Sequence, residues 1–169
     1  MPGRPLLHFK EADQHYFTFD FGRRLRGGTD SDALRASRVL TAVWAVALAV
    51  VAMVAREWGF TEQDTREIEL CYSEAVQNAM EHGSSNKAHA AVQCEVSDTM
   101  IRIIIEDQGA GEGDIEELRA AFDAGGNPMP HQDEERGRGI YIIRSFMDET
   151  SMDCMEGGGV RLTMVKKKS

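Results

Sequence analysis

The sequence predicts an α/β fold of two layers, a mixed and largely antiparallel sheet covered by helices on one face. Three observations carry that prediction. Short runs of strand-like alternation and β-branched residues are spread along the chain, at 15–21, 89–96, 99–106, 150–155 and 160–166. Between them stand stretches with helical periodicity, at 30–58, from Thr61 through Glu74, and at 139–147. At 169 residues the chain has the length of one domain with room for a real core.

Each element has its own justification. His15-Tyr16-Phe17-Thr18-Phe19-Asp20-Phe21 alternates as a half-buried strand. The segment 30–58 is an apolar helix stopped by Gly59. Thr61 and Asp64 have the spacing of a capping box that opens the next helix. That helix shows an apolar stripe at Ile68, Cys71, Ala75 and Ala79, the core-facing spacing. The runs 89–96 and 99–106 read as a hairpin around Ser97-Asp98. Asp114 with Glu117 caps a short helix to about Phe122. Residues 124–136, rich in Gly and Pro, suit a mobile lid over a ligand. The helix at 139–147 precedes a last pair of strands joined through Gly157-Gly158-Gly159. Residues 1–14 read as an N-terminal extension, 15–166 as the domain and 167–169 as a basic tail, with Lys166-Lys167-Lys168 a solvated end.

Composition narrows the function. A net charge of −9 argues against nucleic acid as a direct partner, because phosphate binding needs a basic face. Three cysteines, Cys71, Cys94 and Cys154, have no metal-ligand spacing and read as buried free thiols of a cytoplasmic protein. Val39 to Ala55 contains no charge, but its 17 residues stand at the lower limit for a membrane span, which needs ~20. A buried or partner-covered helix is the better reading, although a helix with one wet face should not be apolar all round.

Three motifs carry chemistry. Glu74, Asn78 and His82 are four residues apart, and each step of four advances about 400° around a helix. They share one face, opposite the apolar stripe, where a carboxylate, an amide and an imidazole can look into a cleft. A solvated helix face is the bland alternative. Next, Thr99 to Ile105 is a β-branched strand leading into Glu106-Asp107-Gln108-Gly109-Ala110-Gly111. That sequence fixes a carboxylate beside a backbone free of side chains, where a flat base can approach and donate an amine hydrogen bond. An ordinary tight turn has the same composition. Third, Gly137-Arg138-Gly139 opens a helix through Ile140, Ile143 and Met147. Its freed backbone N–H groups form an anion site, and Arg136 and Arg138 add positive charge. No Gly-Lys-Ser/Thr follows, and no βαβ unit precedes it, so it is neither a Walker A loop nor a dinucleotide fingerprint.

In this order and spacing the three motifs resemble the Bergerat ATP-binding fold of the GHKL ATPase superfamily. The runs Ser73 to Gly83 and Gly137 to Glu149 look most like the bacterial anti-sigma-factor serine/threonine kinases, and the resemblance covers roughly residues 15–166. It implies that Glu74 is the general base, that Asn78 ligates Mg²⁺, and that Asp107 accepts the adenine amine of ATP. It implies further that Gly109 and Gly111 admit the ring and hinge the lid, and that Gly137, Arg138 and Gly139 hold the phosphates. His82 is implied either as a phosphate contact or as a packing residue at the helix end. The chain departs from the pattern in two places. Gly158 and Gly159 stand where the family has a threonine near adenine, Thr163 lying deeper in the strand. Glu112-Gly113-Asp114 replaces a Phe-Asp-Pro-like stretch.

The expected function is an ATP-dependent kinase that phosphorylates an anti-anti-sigma (STAS-domain) partner and sequesters a sigma factor, acting as a cytoplasmic homodimer. Two alternatives stand beside it: a non-catalytic module that uses ATP to hold a partner, and a histidine kinase catalytic domain. The second lacks an upstream helical hairpin with a phosphoacceptor histidine, since His8 and His15 lie in strand-like or loop sequence.

Overall fold

The computed structural model describes residues 6–9, 14–20, 30–82, 90–107, 119–120, 122, 138–155 and 159–169, with side chains described from residue 42 onward except at 80–82 and 90. In chain order the elements are β1 (Leu6–Phe9), β2 (Gln14–Asp20), α1 (Asp30–Glu57), α2 (Glu62–His82), β3 (Ala90–Ser97), β4 (Met100–Asp107), α3 (Arg138–Phe146), β5 (Glu149–Cys154) and β6 (Val160–Lys167). The six strands form one sheet in the order β1-β2-β3-β4-β6-β5. Every pairing in it is antiparallel, so the sheet expected as mixed is uniform among the described residues. The helices cover one face. β1, at the sheet edge against β2, lies inside the stretch read as an N-terminal extension.

Period-two burial in β4 sets the layers. Ile101, Ile103, Ile105 and Asp107 turn inward, while Arg102 and Glu106 turn outward. Val92, Cys94 and Val96 of β3 and Leu162 and Met164 of β6 complete the inner face. Outward residues pair across the register: Arg102 with Glu95 at 2.6 Å, and Arg161 with Glu106 at 2.6 Å. Such exposed pairs contribute little stability each, roughly 0–1 kcal/mol.

The helix ends follow from short-range chemistry. At the end of α1, Gly59 takes φ +78°. Its N–H donates to Arg56 O at 2.9 Å and the Phe60 N–H to Ala55 O at 3.0 Å, both bonds of a Schellman stop. Phe60 and Ala55 are both buried, which adds the accompanying apolar contact. Two residues on, the Asp64 N–H donates to Thr61 Oγ1 at 3.0 Å and the Thr61 N–H to Asp64 Oδ2 at 3.2 Å. This is the capping box the sequence predicts, with aspartate in the reciprocal position.

The apolar helix α1 is not buried all round. Trp44, Ala47, Val51, Ala52 and Ala55 face the core, and Val46 and Met53 are more than half exposed on the other side. Alanines 42, 45 and 49 make up much of the rest of that wet face. Alanine is the best helix former and presents little apolar surface, which reconciles a charge-free segment with solvent. No helix among the described residues is long and apolar enough to cross a membrane.

Two expectations need correction. Cys71 and Cys94 are buried free thiols, but Cys154 is exposed, at the end of the edge strand β5. Burial pushes the Cys71 thiol up to about 12, so it is inert at neutral pH. Two of the three lysines in the run are docked, and only Lys167 is solvated. Lys166 is nearly buried and its Nζ donates to Glu67 Oε2 at 2.5 Å. Lys168 donates from its backbone N–H to Thr99 O at 2.8 Å and from Nζ to Trp58 O at 2.5 Å.

Candidate functional site

The helix α2 delivers two of the predicted residues together. Ile68, Cys71 and Ala75 are buried against the core, and Glu74 and Asn78 flank that stripe rather than oppose it, so that both are half-buried. His82 is the last residue of α2, and its side chain lies outside the described residues. What Glu74 and Asn78 meet is the first turn of α3. A Cβ placed on Gly139 would stand 2.9 Å from Glu74 Oε2, 3.1 Å from Asn78 Nδ2 and 3.3 Å from Asn78 Oδ1. Only a residue without a side chain allows that approach, so the second glycine of the Gly137-x-Gly139 pair has a steric reason. Gly139 is buried, and Arg138 beside it is exposed. Gly137 lies outside the described residues, as do Gly109, Gly111, most of the short helix ending near Phe122 and the expected lid at 124–136. Arg119, Ala120 and Phe122 are helical, in keeping with that short helix.

Beside this junction lies a cleft between the helices and the sheet. Asn78 and Asp107 are the polar members of its lining. Asp107 is the last residue of β4, on the inward face with Ile105, and is only 6% exposed. The rest of the lining is apolar and includes Ala79, Ile105, Phe122, Ile143, Met152 and Leu162. A flat apolar ring with an amine at its edge suits a slot of this kind, whose described lining offers a carboxylate beside apolar walls.

The apolar walls escaped the sequence reading, because they come from β4, β5, β6, α2, α3 and Phe122, and only the tertiary fold assembles them. Val160 is the instructive case. It pairs with Asp107 across β4 and β6 and lines the cleft, at the end of the glycine run where a threonine was expected. Gly159 before it takes φ +123°, a conformation that favours glycine. The carboxylate therefore has an aliphatic cross-strand neighbour instead of a hydroxyl.

A second polar group on α2 sits away from the cleft. Asp64 is held below its ordinary pKa: burial opposes this, but hydrogen bonds from Thr61 and Ser169 and the charge of Lys166 outweigh it. Glu67 is likewise lowered, by its hydrogen bonds from Lys166 and Gln63. Lys166 is raised, its burial being outweighed by the bond to Glu67 and the surrounding carboxylates. Its Nζ also donates to Phe146 O at 2.9 Å, at the C-terminal end of α3. Lysine thus ties the start of α2 to the end of α3, while Gly139 meets α2 at the opposite end of α3.

The cations that ATP chemistry uses have a partial match in these residues. The Asn78 amide oxygen is a hard donor that suits Mg²⁺, and the acid Glu74 stands beside it. No cluster of three or more His, Cys, Asp or Glu side chains able to hold a metal occurs among the described residues, so such an ion would depend on phosphate oxygens for much of its shell.

Comparison with known proteins points to one family and one fold. Residues 38–166 match the histidine kinase-like ATPase domain family. The chain is 33% identical to an anti-sigma F factor of Clostridium novyi (strain NT) over 109 residues, 63% of this chain and 73% of that one. It is 32% identical to an anti-sigma F factor of Clostridium acetobutylicum over 118 residues, 69% and 80% of the two chains. Among solved structures, a chain of the SiaB-SiaC complex from Pseudomonas aeruginosa superposes with a TM-score of 0.65, covering 88% of this chain and 87% of that one. At 14% identity that likeness is one of fold.

Proposed function

Because this chain belongs to the histidine kinase-like ATPase domain family, we propose that it is an ATP-dependent anti-sigma regulator that transfers phosphate to a serine or threonine of an anti-anti-sigma partner. The observation that carries the reading is the closure of Gly139 onto Glu74 and Asn78 at one end of an apolar cleft that holds Asp107. Kinship with anti-sigma F factors supports the regulatory half of it.

Each residue then has a task. Asp107 accepts a hydrogen bond from the exocyclic amine of adenine, and the apolar lining takes the ring. Backbone N–H groups from Gly137 to Gly139, at the positive end of α3, receive the phosphates, with Arg138 adjacent. Asn78 offers its amide oxygen to Mg²⁺. ATP supplies the phosphoryl group, and the ion offsets the charge that builds on its oxygens. Glu74 takes the proton of the partner's hydroxyl as that oxygen bonds to the γ-phosphorus; the bond to the β,γ-bridging oxygen breaks and ADP leaves. His82, Gly109 and Gly111 retain the roles the resemblance implies. The same reading has the protein cytoplasmic and homodimeric, with a sigma factor as its second partner. The exposed Val46 and Met53 of α1 favour association, and the reduced, buried Cys71 and Cys94 suit a reducing compartment.

Incubation with [γ-³²P]ATP, Mg²⁺ and STAS-domain proteins tests this. The reading requires label on a partner serine or threonine, abolished by Glu74→Gln. ATP binding without transfer to any such protein would favour the gated binding module instead.

A further inference from the structure

Arg144 lies in the last turn of α3, and the proposed reaction gives it no task. Its guanidinium stands over the ring of Phe122, 5.2 Å from the centroid, within the range of a cation–π contact. The same guanidinium donates from Nη1 to the backbone oxygen of Phe122. One side chain thus grips both the ring and the main chain of a single residue. That residue is a wall of the cleft: Phe122 is 5% exposed and lines it together with Ile140 and Ile143 of α3. Arg144 itself is exposed, so its removal opens no core cavity.

We propose that Arg144 is a positioning residue for nucleotide binding, clasping Phe122 to α3 so that the apolar wall of the base slot is preformed. The proposal rests on the nucleotide reading above. It couples two parts of the site through one helix, since α3 carries Gly139 against Glu74 and Asn78 at its start and Arg144 over Phe122 at its end. Arginine is suited to the task and lysine is not, because a planar fork can lie on a ring while donating to a carbonyl at its rim.

The test is a double-mutant cycle on the full chain, read as the Kd of Mg²⁺-ATP and of adenosine, an uncharged probe. Arg144→Ala is expected to weaken both about fivefold, the scale of one such contact with its hydrogen bond. Arg144→Lys should recover little of that. In a Phe122→Ala background, Arg144→Ala should change either Kd by less than about twofold, because the wall it holds is gone. Unchanged affinity in Arg144→Ala, equal losses in both backgrounds, or a loss confined to ATP would each overturn the proposal, the last by showing simple charge attraction. A wild-type chain that binds neither probe removes the nucleotide reading and this role with it. The clasp can still be judged without ligand, from ¹⁹F NMR of 4-fluorophenylalanine at position 122. Its line should move toward the random-coil position in Arg144→Ala, and an unmoved line would rule the clasp out.

Discussion

The two halves of α2 carry their polar residues to different ends. In the first half, Asp64 and Glu67 face inward and find partners within the protein: the Thr61 cap, the Ser169 hydroxyl and the Lys166 ammonium. In the second half, Glu74 and Asn78 face the bare backbone of Gly139 and the rim of an apolar cleft. Both clusters lie on one helix with one buried stripe. The difference is what completes them. The first is closed by a cation from β6 and serves the fold. The second is approached by a glycine, whose missing side chain lets the backbone come up against a carboxylate and an amide at the edge of the cleft. Polar groups arranged around free space are a binding arrangement, whereas polar groups arranged around a counter-ion are a structural one.

Substitutions should separate the two halves. The largest effect is expected from Glu74→Gln, which keeps shape and removes the base. Transfer to a STAS partner should fall by roughly 10²–10⁴, the range for a lost general base, with ATP affinity within about twofold of wild type. Gly139→Ala comes next. Its new Cβ displaces the ends of two flexible side chains rather than backbone, so the melting temperature should barely change. Mg²⁺-ATP affinity, measured by calorimetry, should drop by about thirtyfold, or ~2 kcal/mol, as the displaced Asn78 amide leaves its ligand unmet.

The first half should respond in the opposite sense. Lys166→Met leaves Glu67 buried without its cation and should cost roughly 2 kcal/mol in urea unfolding, below the 3–5 of a fully buried pair because Glu67 keeps some solvent. Its ATP affinity should remain within about threefold of wild type once folded. The signs of the pKa shifts add a pH test. Asp64 and Glu67 are lowered, so their contribution is present above their ordinary values and is lost as pH falls through the lowered ones. Lys166 is raised, so its contribution holds below the ordinary lysine value and is lost only as pH rises through the raised one. Stability should therefore be flat near neutrality and fall in acid, with a shallower acid limb in Lys166→Met. The smallest effect is expected from Thr61→Ala, which removes one partner of the capping box and should cost about 1 kcal/mol with no change in ATP binding.

What the sequence made legible was short-range. The Thr61–Asp64 box, the Gly59 stop and the Glu74–Asn78 face depend on spacings of two to four residues, and each can be read without a fold. Gly139 was singled out in the sequence for its backbone N–H, whereas its close approach to Glu74 was not legible there. The features that stayed hidden are long-range. Lys166 reads as part of a solvated run, because Glu67 stands 99 residues before it. β1 spans four residues and takes its identity from pairing with β2. Cys154 resembles the buried thiols in its sequence context, and only its place at the end of an edge strand leaves it exposed. Phe122 became a wall of the site through Arg144, 22 residues away. The cleft's apolar lining is a property of the register and of no single segment.

The most direct measurement is calorimetric titration of Mg²⁺-ATP into the wild-type chain, Asn78→Ala and Lys166→Met. The account predicts binding by the wild type, its loss in Asn78→Ala with the fold intact, and its retention in Lys166→Met despite a lower melting temperature. Wild-type binding that survives Asn78→Ala, or no wild-type binding at all, would contradict the assignment of the second half of α2 to the nucleotide.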